Sequence, residues 1–303
     1  MTDTRTGISA SANVPECAAR PRKWAPTLSL PSFETAGTVE MDAQVERLQQ
    51  TTKLISQTQV SEGGGGWHRA AFDEIAARLA GPDFPCVFSR NAFRKQLLRF
   101  AFVESADGAG FRHLAAALTE YVELSRDWDG QLDTAYPLLV LFSKDAVTAR
   151  TVEEYHAFGW RVLQELHHLD PAPWPADVGQ DPDSASWSMC FNGMPLFCNM
   201  SNPAHRNRRS RNLGEHFTIV INPRERFDVF AGETPSGRKV RANIRNRIHR
   251  YDGMKHSPQL GSYGVGALEW LQYGLIEENA ERKGICPFRP QPACENEQEM
   301  LTK

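Results

Sequence analysis

The sequence lacks the features that most directly mark a membrane, secreted or dinucleotide-binding protein. No apolar run among its 303 residues approaches the ~20 residues of a membrane-spanning helix. The amino-terminal region has no continuous hydrophobic segment of the kind found in a secretory signal. No Gly-rich motif follows a predicted strand, so we expect no flavin or nicotinamide site. Together these absences favour a cytoplasmic protein.

Cysteines are also few and scattered, six in the whole chain. None forms C-x-x-C, which argues against a zinc site or a thioredoxin-type motif, and no C-x-x-C-H is present to attach a haem covalently. In a cytoplasmic chain of this length we interpret them as reduced thiols.

Composition divides the chain into a globular middle and two polar ends. Residues 1–60 are rich in Thr, Ser, Ala, Gln and Pro and contain only two aromatic residues. Such a segment cannot bury enough apolar surface to fold, which predicts a disordered extension. From Trp67 onward the pattern is globular. We therefore expect one domain over residues 61–290 and a polar tail over residues 291–303.

Apolar spacing within that domain alternates between the helical and the strand period. The helical segments are Trp67–Leu79, Phe93–Phe100, Leu114–Ser125, Val152–Leu169, Arg238–Tyr251 and Val265–Glu278. The strand-like runs are Tyr136–Phe142, Trp187–Phe191, Met194–Met200 and Phe217–Ile221. Asn192-Gly193 is typical of a tight hairpin turn. Strands clustered between groups of helices predict an α+β fold, a single globular domain with helices packed around a small, largely antiparallel sheet.

The segment from Trp187 to Asp228 carries the most informative pattern. In it, His205 is followed by four arginines within six residues, namely Arg206, Arg208, Arg209 and Arg211. Across residues 205–250, twelve basic side chains stand against four acidic ones, although the whole chain has a net charge of −3. We therefore predict an anion-binding surface. A histidine beside guanidinium groups is also what a haem requires, with the iron on one side and the propionates at the rim.

Several motifs, spread over most of residues 67–264, carry a family resemblance. They are FPC (84–86), PWP (173–175), WSMCFNGMPLF (187–197), NPAHRNRRSRNLG (202–214), INPRERFD (221–228) and RIHRYDGMKHSPQLGSYG (247–264). With these motifs the chain resembles the YqcI/YcgG family, and the run from Asn202 to Gly214 is the most specific of them.

The resemblance implies a haem-dependent monooxygenase that hydroxylates a guanidino nitrogen. The expected reaction converts L-arginine to Nω-hydroxy-L-arginine in an antibiotic pathway of the D-cycloserine type. Ordinary side chains cannot activate dioxygen, so a cofactor is required. We expect non-covalently bound haem b in a catalytic domain over residues 61–290. The other expected partners are dioxygen or hydrogen peroxide and an external electron donor.

Two residues remain open as the axial ligand of the haem iron. His205 is the first choice, because it lies in the most specific motif and its neighbours Arg206, Arg208, Arg209 and Arg211 are placed to bind propionates. Cys86 is the rival, since a thiolate ligand favours O–O cleavage. The residue that holds the guanidinium group of the substrate is not apparent from the sequence.

Two alternative functions are also open. His168 and Asp170 form His-x-Asp, and with His216 they would complete the two-histidine, one-carboxylate site of a non-haem iron, 2-oxoglutarate-dependent oxygenase. The basic region from Arg206 to Arg250 would instead suit a non-enzymatic module that binds nucleic acid. No recognised nucleic-acid-binding motif accompanies that region.

Overall fold

The computed structural model describes residues 53–63, 65–261 and 266–290, which belong to one compact unit. The predictions for residues 1–52 and for the tail at 291–303 lie outside these ranges. No helix in the described ranges is both long enough and apolar enough to cross a membrane. The four cysteines within them are free thiols.

A six-stranded sheet organises the domain, with the spatial order β1-β2-β3-β6-β5-β4. Its strands are β1 (Ile55–Ser56), β2 (Arg99–Val103), β3 (Leu138–Phe142), β4 (Met189–Phe191), β5 (Met194–Ser201) and β6 (Thr218–Pro223). Only β2 and β3 pair in parallel, and the other four pairs are antiparallel. The predicted α+β fold with a largely antiparallel sheet is confirmed.

Seven α-helices in the described ranges surround the sheet. They are α1 (Gln57–Gly63), α2 (Gly66–Ala80), α3 (Val87–Arg94), α4 (Gly108–Arg126), α5 (Val152–His168), α6 (Arg224–Ala231) and α7 (Pro235–Asp252). Helix α5 begins at a capping box, in which the Thr151 hydroxyl accepts from the Glu154 amide while the Glu154 carboxylate accepts from the Thr151 amide. This reciprocal pairing satisfies two amides at the helix start.

Both faces of the sheet are covered. In β3, Leu138, Val140 and Phe142 belong to a core shared with α4 and α5, whereas Leu139 and Leu141 belong to a second core shared with α2 and α3. Successive side chains of a strand point to opposite faces. A strand buried on both sides therefore reads as the continuous apolar run that predicted β3.

The hairpin between β4 and β5 confirms the predicted turn. Asn192 and Gly193 have φ angles of 50° and 71°, the left-handed conformation that both central residues of a type I′ turn require. Phe191 then pairs with Met194 across the turn. The hairpin places β5 so that its far end leads directly into the loop that contains His205.

The predicted domain boundary at residue 61 is too late. Ile55 and Ser56 pair with Phe100 and Arg99, and Val60 lies buried in the second core. Residues 53–60 therefore belong to the folded domain. Their low apolar content hid a short edge strand whose stabilisation comes from backbone pairing with β2.

Two predicted helices are corrected. The helix over 93–100 ends early, because α3 stops at Arg94, Gln96 turns the chain with a φ of 56°, and Phe100 lies in β2. Residues 266–278 contain only a short 3₁₀ turn at Glu269–Gln272. Their backbone is used elsewhere: the Tyr273 carbonyl accepts from the Met200 amide at 2.7 Å.

Candidate functional site

The loop after β5 holds His205 in a fixed position through its own asparagines. The Asn202 side chain accepts from the Ala204 amide at 3.1 Å, and the Asn212 side chain donates to the His205 carbonyl at 3.2 Å. A backbone bond from the Asn202 amide to the Arg211 carbonyl closes the loop at 2.9 Å. These short polar side chains stabilise a turn in place of regular structure.

The His205 imidazole is buried and pairs with a carboxylate from a distant segment. Its Nδ1 lies 2.6 Å from Oε2 of Glu277. The other ring nitrogen, Nε2, is buried and has no hydrogen-bond partner. Burial lowers the pKa of His205 despite the raising effect of Glu277. The ring is therefore neutral near pH 7, with Nδ1 as the donor and the Nε2 lone pair available to bind a ligand.

A second buried histidine, His156 on helix α5, lies beside His205. The two ring centroids are 6.0 Å apart, and Nε2 of His156 also lacks a partner. Burial, followed by the charge of Arg282, lowers the pKa of His156 to about 3. Sequence reasoning missed His156 because its position in a helical pattern gives no sign of ligand chemistry.

An apolar cavity, which we call the main cavity, opens beside β5, next to Phe197 of the first core. Phe197 and Asn199 form its floor. Helices α6 and α7 and the Phe84–Cys86 segment form its walls, largely with apolar side chains. It encloses about 200 Å³. Its apolar walls suit a cofactor or substrate.

Three arginines, Arg211, Arg241 and Arg245, bring positive charge to the cavity wall, and none of the described residues that line it carries a carboxylate. Arg211 comes from the predicted cluster, whereas Arg241 and Arg245 come from α7. The Arg211 charge also contributes to the lowered pKa values of His156 and His205, so this guanidinium lies near the buried histidines as well as on the cavity wall. The cavity is therefore suited to an apolar ligand that carries negative groups.

The four predicted propionate-binding arginines do not form one surface. Arg208 is buried and donates to the Ile276 and Glu278 carbonyls, while Arg209 donates to the Tyr251 carbonyl and lies 4.9 Å over the Tyr251 ring. The Arg206 side chain is exposed. Only Arg211 lines the main cavity. Four arginines close in sequence diverge here because the loop turns between them.

Much of the basic region is likewise used within the fold. Arg241 donates to the Gly232 carbonyl, Arg245 to the Gly261 carbonyl and Arg247 to the Phe84 carbonyl. A nucleic-acid surface needs guanidinium groups directed outward to phosphates. The geometry therefore does not favour the predicted nucleic-acid module over residues 206–250.

Cys86, the rival iron ligand, does line the main cavity. It is the N-cap of α3, where its Sγ accepts from the Ser89 amide at 3.4 Å. His205, by contrast, is not part of the cavity wall. Cys86 thus has the more direct access to the cavity, and His205 has the unpartnered nitrogen.

The predicted non-haem iron site is wrong. His168 contacts Gln164 at the end of α5, and Asp170 accepts from the Asn192 amide at 2.8 Å. His216 instead lies near the Phe142 carbonyl and stacks on Trp67. Among the described residues there is no group of three or more His, Cys, Asp or Glu side chains that could hold a metal ion. Proximity along the chain placed His168 near Asp170, but the fold places His216 elsewhere.

Comparison with protein families assigns this domain. The profile described as the YqcI/YcgG family matches residues 75–289, which include the loop of His205, the main cavity and Glu277. The chain belongs to the YqcI/YcgG family. The predicted resemblance is confirmed.

Three curated relatives cover most of the domain. A Streptomyces lavendulae protein named "Putative N(omega)-hydroxy-L-arginine synthase DcsA" is 69% identical over 239 residues, 79% of this chain and 90% of its own length. Two Bacillus subtilis (strain 168) proteins of the family, YcgG and YqcI, are named as uncharacterized. They are 37% and 34% identical, over 73% and 74% of this chain and 88% of each relative. No solved structure matches the chain.

Proposed function

We propose that this protein is a haem-dependent monooxygenase that hydroxylates a guanidino nitrogen, with L-arginine as substrate and Nω-hydroxy-L-arginine as product. The name of the Streptomyces relative at 69% identity supports the reaction. The observation in the structure that carries the proposal is the buried His205 ring, whose Nδ1 is bonded to Glu277 and whose Nε2 has no partner.

The residues around the main cavity fit a haem. A haem is a flat apolar ring with two carboxylates, so it requires apolar walls and cationic groups at one edge. The cavity supplies Phe84, Phe197 and Ile248 among its apolar residues, with Arg211 and Arg245 among its guanidinium groups. Arginine matches carboxylates in geometry as well as in charge. Arg206, Arg208 and Arg209 are not part of this wall, so Arg211 is the residue of the predicted cluster that we assign to a propionate.

We propose His205 as the iron ligand, which requires that its Nε2, buried and outside the wall of the main cavity, become accessible to a haem bound there. A histidine ligates through a neutral ring nitrogen, and its other nitrogen usually donates to a carboxylate or carbonyl. His205 meets both conditions. The Cys86 thiol is half-buried at the N-terminus of α3 and lines the main cavity. The experiment below therefore tests both residues.

Bound haem supplies the two-electron activation of dioxygen that side chains cannot supply. In the balanced reaction one oxygen atom enters an N–H bond of the guanidino group, and the other leaves as water with two electrons and two protons from an external donor. Hydrogen peroxide would supply the oxygen atom and both electrons at once. The protein must hold the guanidino nitrogen beside the cofactor. Asn199 Oδ1, on the cavity floor without a partner, is an acceptor suited to a guanidinium N–H.

Titration of the purified protein with haem b tests the proposal. We expect one haem per chain, a Soret band that L-arginine perturbs, and a product heavier by one oxygen atom after reduction in air. His205→Ala should abolish or strongly alter the Soret band, whereas Cys86→Ala should leave it unchanged. The converse result would assign the ligand to Cys86.

Two outcomes would overturn the proposal. If the purified protein takes up no haem, the assignment of haem as cofactor is wrong. If it binds haem but arginine neither shifts the Soret band nor is oxygenated, the assignment of arginine as substrate is wrong, and the haem assignment stands.

A further inference from the structure

Glu277 lies in the segment after the 3₁₀ turn and contacts the His205 loop with both carboxylate oxygens. Oε2 lies 2.6 Å from His205 Nδ1, and Oε1 accepts from the amides of Arg206 and Asn207 at 2.8 and 2.5 Å. Arg208 ties the two segments together by donating to the Ile276 and Glu278 carbonyls on either side of Glu277. Both oxygens of the carboxylate thus accept hydrogen bonds, and Arg208 fixes the backbone on either side of Glu277.

This arrangement selects one tautomer of His205. A neutral imidazole carries its proton on either ring nitrogen, and the hydrogen bond made by one nitrogen decides which. A carboxylate accepts and cannot donate, so Oε2 requires the proton on Nδ1. Nε2 is then left with its lone pair in a buried, unpartnered position. Both conditions are those of a metal-binding histidine.

The ionisation states agree with this geometry. Burial tends to raise the pKa of Glu277, but the hydrogen bonds from Asn207, His205 and Arg206 hold it below its ordinary value. The pKa of His205 is lowered, first by burial. Both shifts favour a carboxylate beside a neutral imidazole.

We infer that Glu277 is the positioning residue of the haem ligand: it fixes the Nδ1–H tautomer of His205 and, through its negative charge, makes Nε2 a stronger electron donor to iron. This inference rests on the proposed haem function. Nothing in the sequence pairs the two residues, which lie 72 positions apart. A stronger donor stabilises ferric over ferrous iron, so Glu277 lowers the reduction potential of the haem.

Glu277→Gln removes the charge and keeps the size of the side chain. Glutamine has one acceptor oxygen, for which the Arg206 and Asn207 amides compete with His205. We expect haem still to bind, with a dissociation constant raised about 10- to 100-fold. We also expect a more positive reduction potential and a lower iron–histidine stretching frequency in the resonance Raman spectrum of the ferrous protein. Glu278→Gln is the matched control, because the side chain of Glu278 is exposed and the change removes the same charge one position along the chain from Glu277. It should change none of these quantities.

Nitrogen-15 NMR of the histidine side chains in the wild-type protein, before haem is added, reports the tautomer of His205 without haem and without a change at Glu277. The expected signal for His205, assigned by its loss in His205→Ala, is a protonated Nδ1 and an unprotonated Nε2. A protonated Nε2 would overturn the inference, as would an unchanged potential and Raman frequency in a folded, haem-loaded Glu277→Gln. If the wild-type protein binds no haem, the proposed function fails, and the NMR result still decides the tautomer.

Discussion

Two glutamates eight positions apart, Glu269 and Glu277, occupy opposite environments in the same irregular segment. Glu269 is buried in the first core, where Ser188 donates to its Oε1 at 2.6 Å and the Tyr273 hydroxyl lies 2.6 Å from the same oxygen. Arg224 Nε lies 3.2 Å from the other oxygen. Glu277 has a side chain 17% exposed and accepts from two backbone amides as well as pairing with His205.

Their titration differs accordingly. Burial raises the pKa of Glu269 to about 7 in spite of its hydrogen bonds. For Glu277 the same burial effect is weaker than the hydrogen bonds, and the pKa is lowered. The number of donors alone does not decide the charge of a carboxyl group, because loss of water opposes ionisation in proportion to depth. Glu269 is thus a structural group of the core, and Glu277 is an anion at neutral pH beside the candidate site.

The largest effect on stability is expected from Glu269→Ala. The change removes the acceptor of Ser188 and a counter-charge of Arg224 inside the core, and leaves a small void. We expect a loss of about 3 kcal/mol in the free energy of unfolding, measured by urea denaturation. Glu278→Ala, at an exposed position, should stay within about 0.5 kcal/mol of wild type. Equal losses of unfolding free energy in the two variants would show that Glu269 contributes no more to stability than an exposed glutamate does.

The second prediction concerns pH. Glu269 keeps its proton up to about pH 7 when folded, but only to its ordinary value of 4.5 when unfolded. Between these values the native state binds more protons, so Glu269 makes stability fall as pH rises, by up to about 3 kcal/mol in all. Glu277 acts in the opposite sense: its lowered pKa contributes stability that is present above pH 4.5 and lost as pH falls through the folded pKa.

Glu269→Gln separates these two contributions, because its amide does not titrate. The change in urea midpoint from pH 5 to pH 8 should be more positive in this variant than in wild type, since the contribution of Glu269 that falls with rising pH is gone. Parallel pH profiles for the two proteins would contradict the raised pKa of Glu269.

A smaller effect on stability than that of Glu269→Ala is expected from Glu277→Ala. Water can reach the partly exposed position and replace the lost acceptor for the Arg206 and Asn207 amides, so we expect a loss of about 1 kcal/mol. Thermal and urea denaturation before haem is added would measure it. A loss as large as that of Glu269→Ala would show that Glu277 holds the loop as a core group does, and the two environments would then be energetically alike.

Much of the fold follows from local pattern. The Asn192-Gly193 hairpin, the doubly buried strand β3 and the capped helix α5 each carry a signal within a few residues. The exceptions are segments whose backbone pairs with remote partners. Residues 266–278 have helical spacing, yet the Tyr273 carbonyl accepts from Met200 in β5. Phe100 likewise completes a helical pattern but pairs with Ile55 in the sheet.

The sequence identified only part of the candidate site. The sequence singled out His205 and Arg211, and the structure places Arg211 on the cavity wall. It also singled out Arg208 and Arg209, whose guanidinium groups hold backbone carbonyls instead. An arginine in a basic cluster has the same sequence signal whether it faces a ligand or a carbonyl, because the difference lies in what the fold places opposite it.

The sequence by itself determined the α+β class, the main helices and strands, and the loop that carries His205, because periodicity, turn chemistry and motif are properties of neighbouring residues. Only the tertiary structure decided that Glu277 reaches His205, that Arg241 and Arg245 join Arg211 at one cavity, and that His168, Asp170 and His216 stay apart. Those relations depend on distances between segments that are far apart in the chain. The packing of the two cores on the sheet sets these distances, and the local sequence pattern does not encode them.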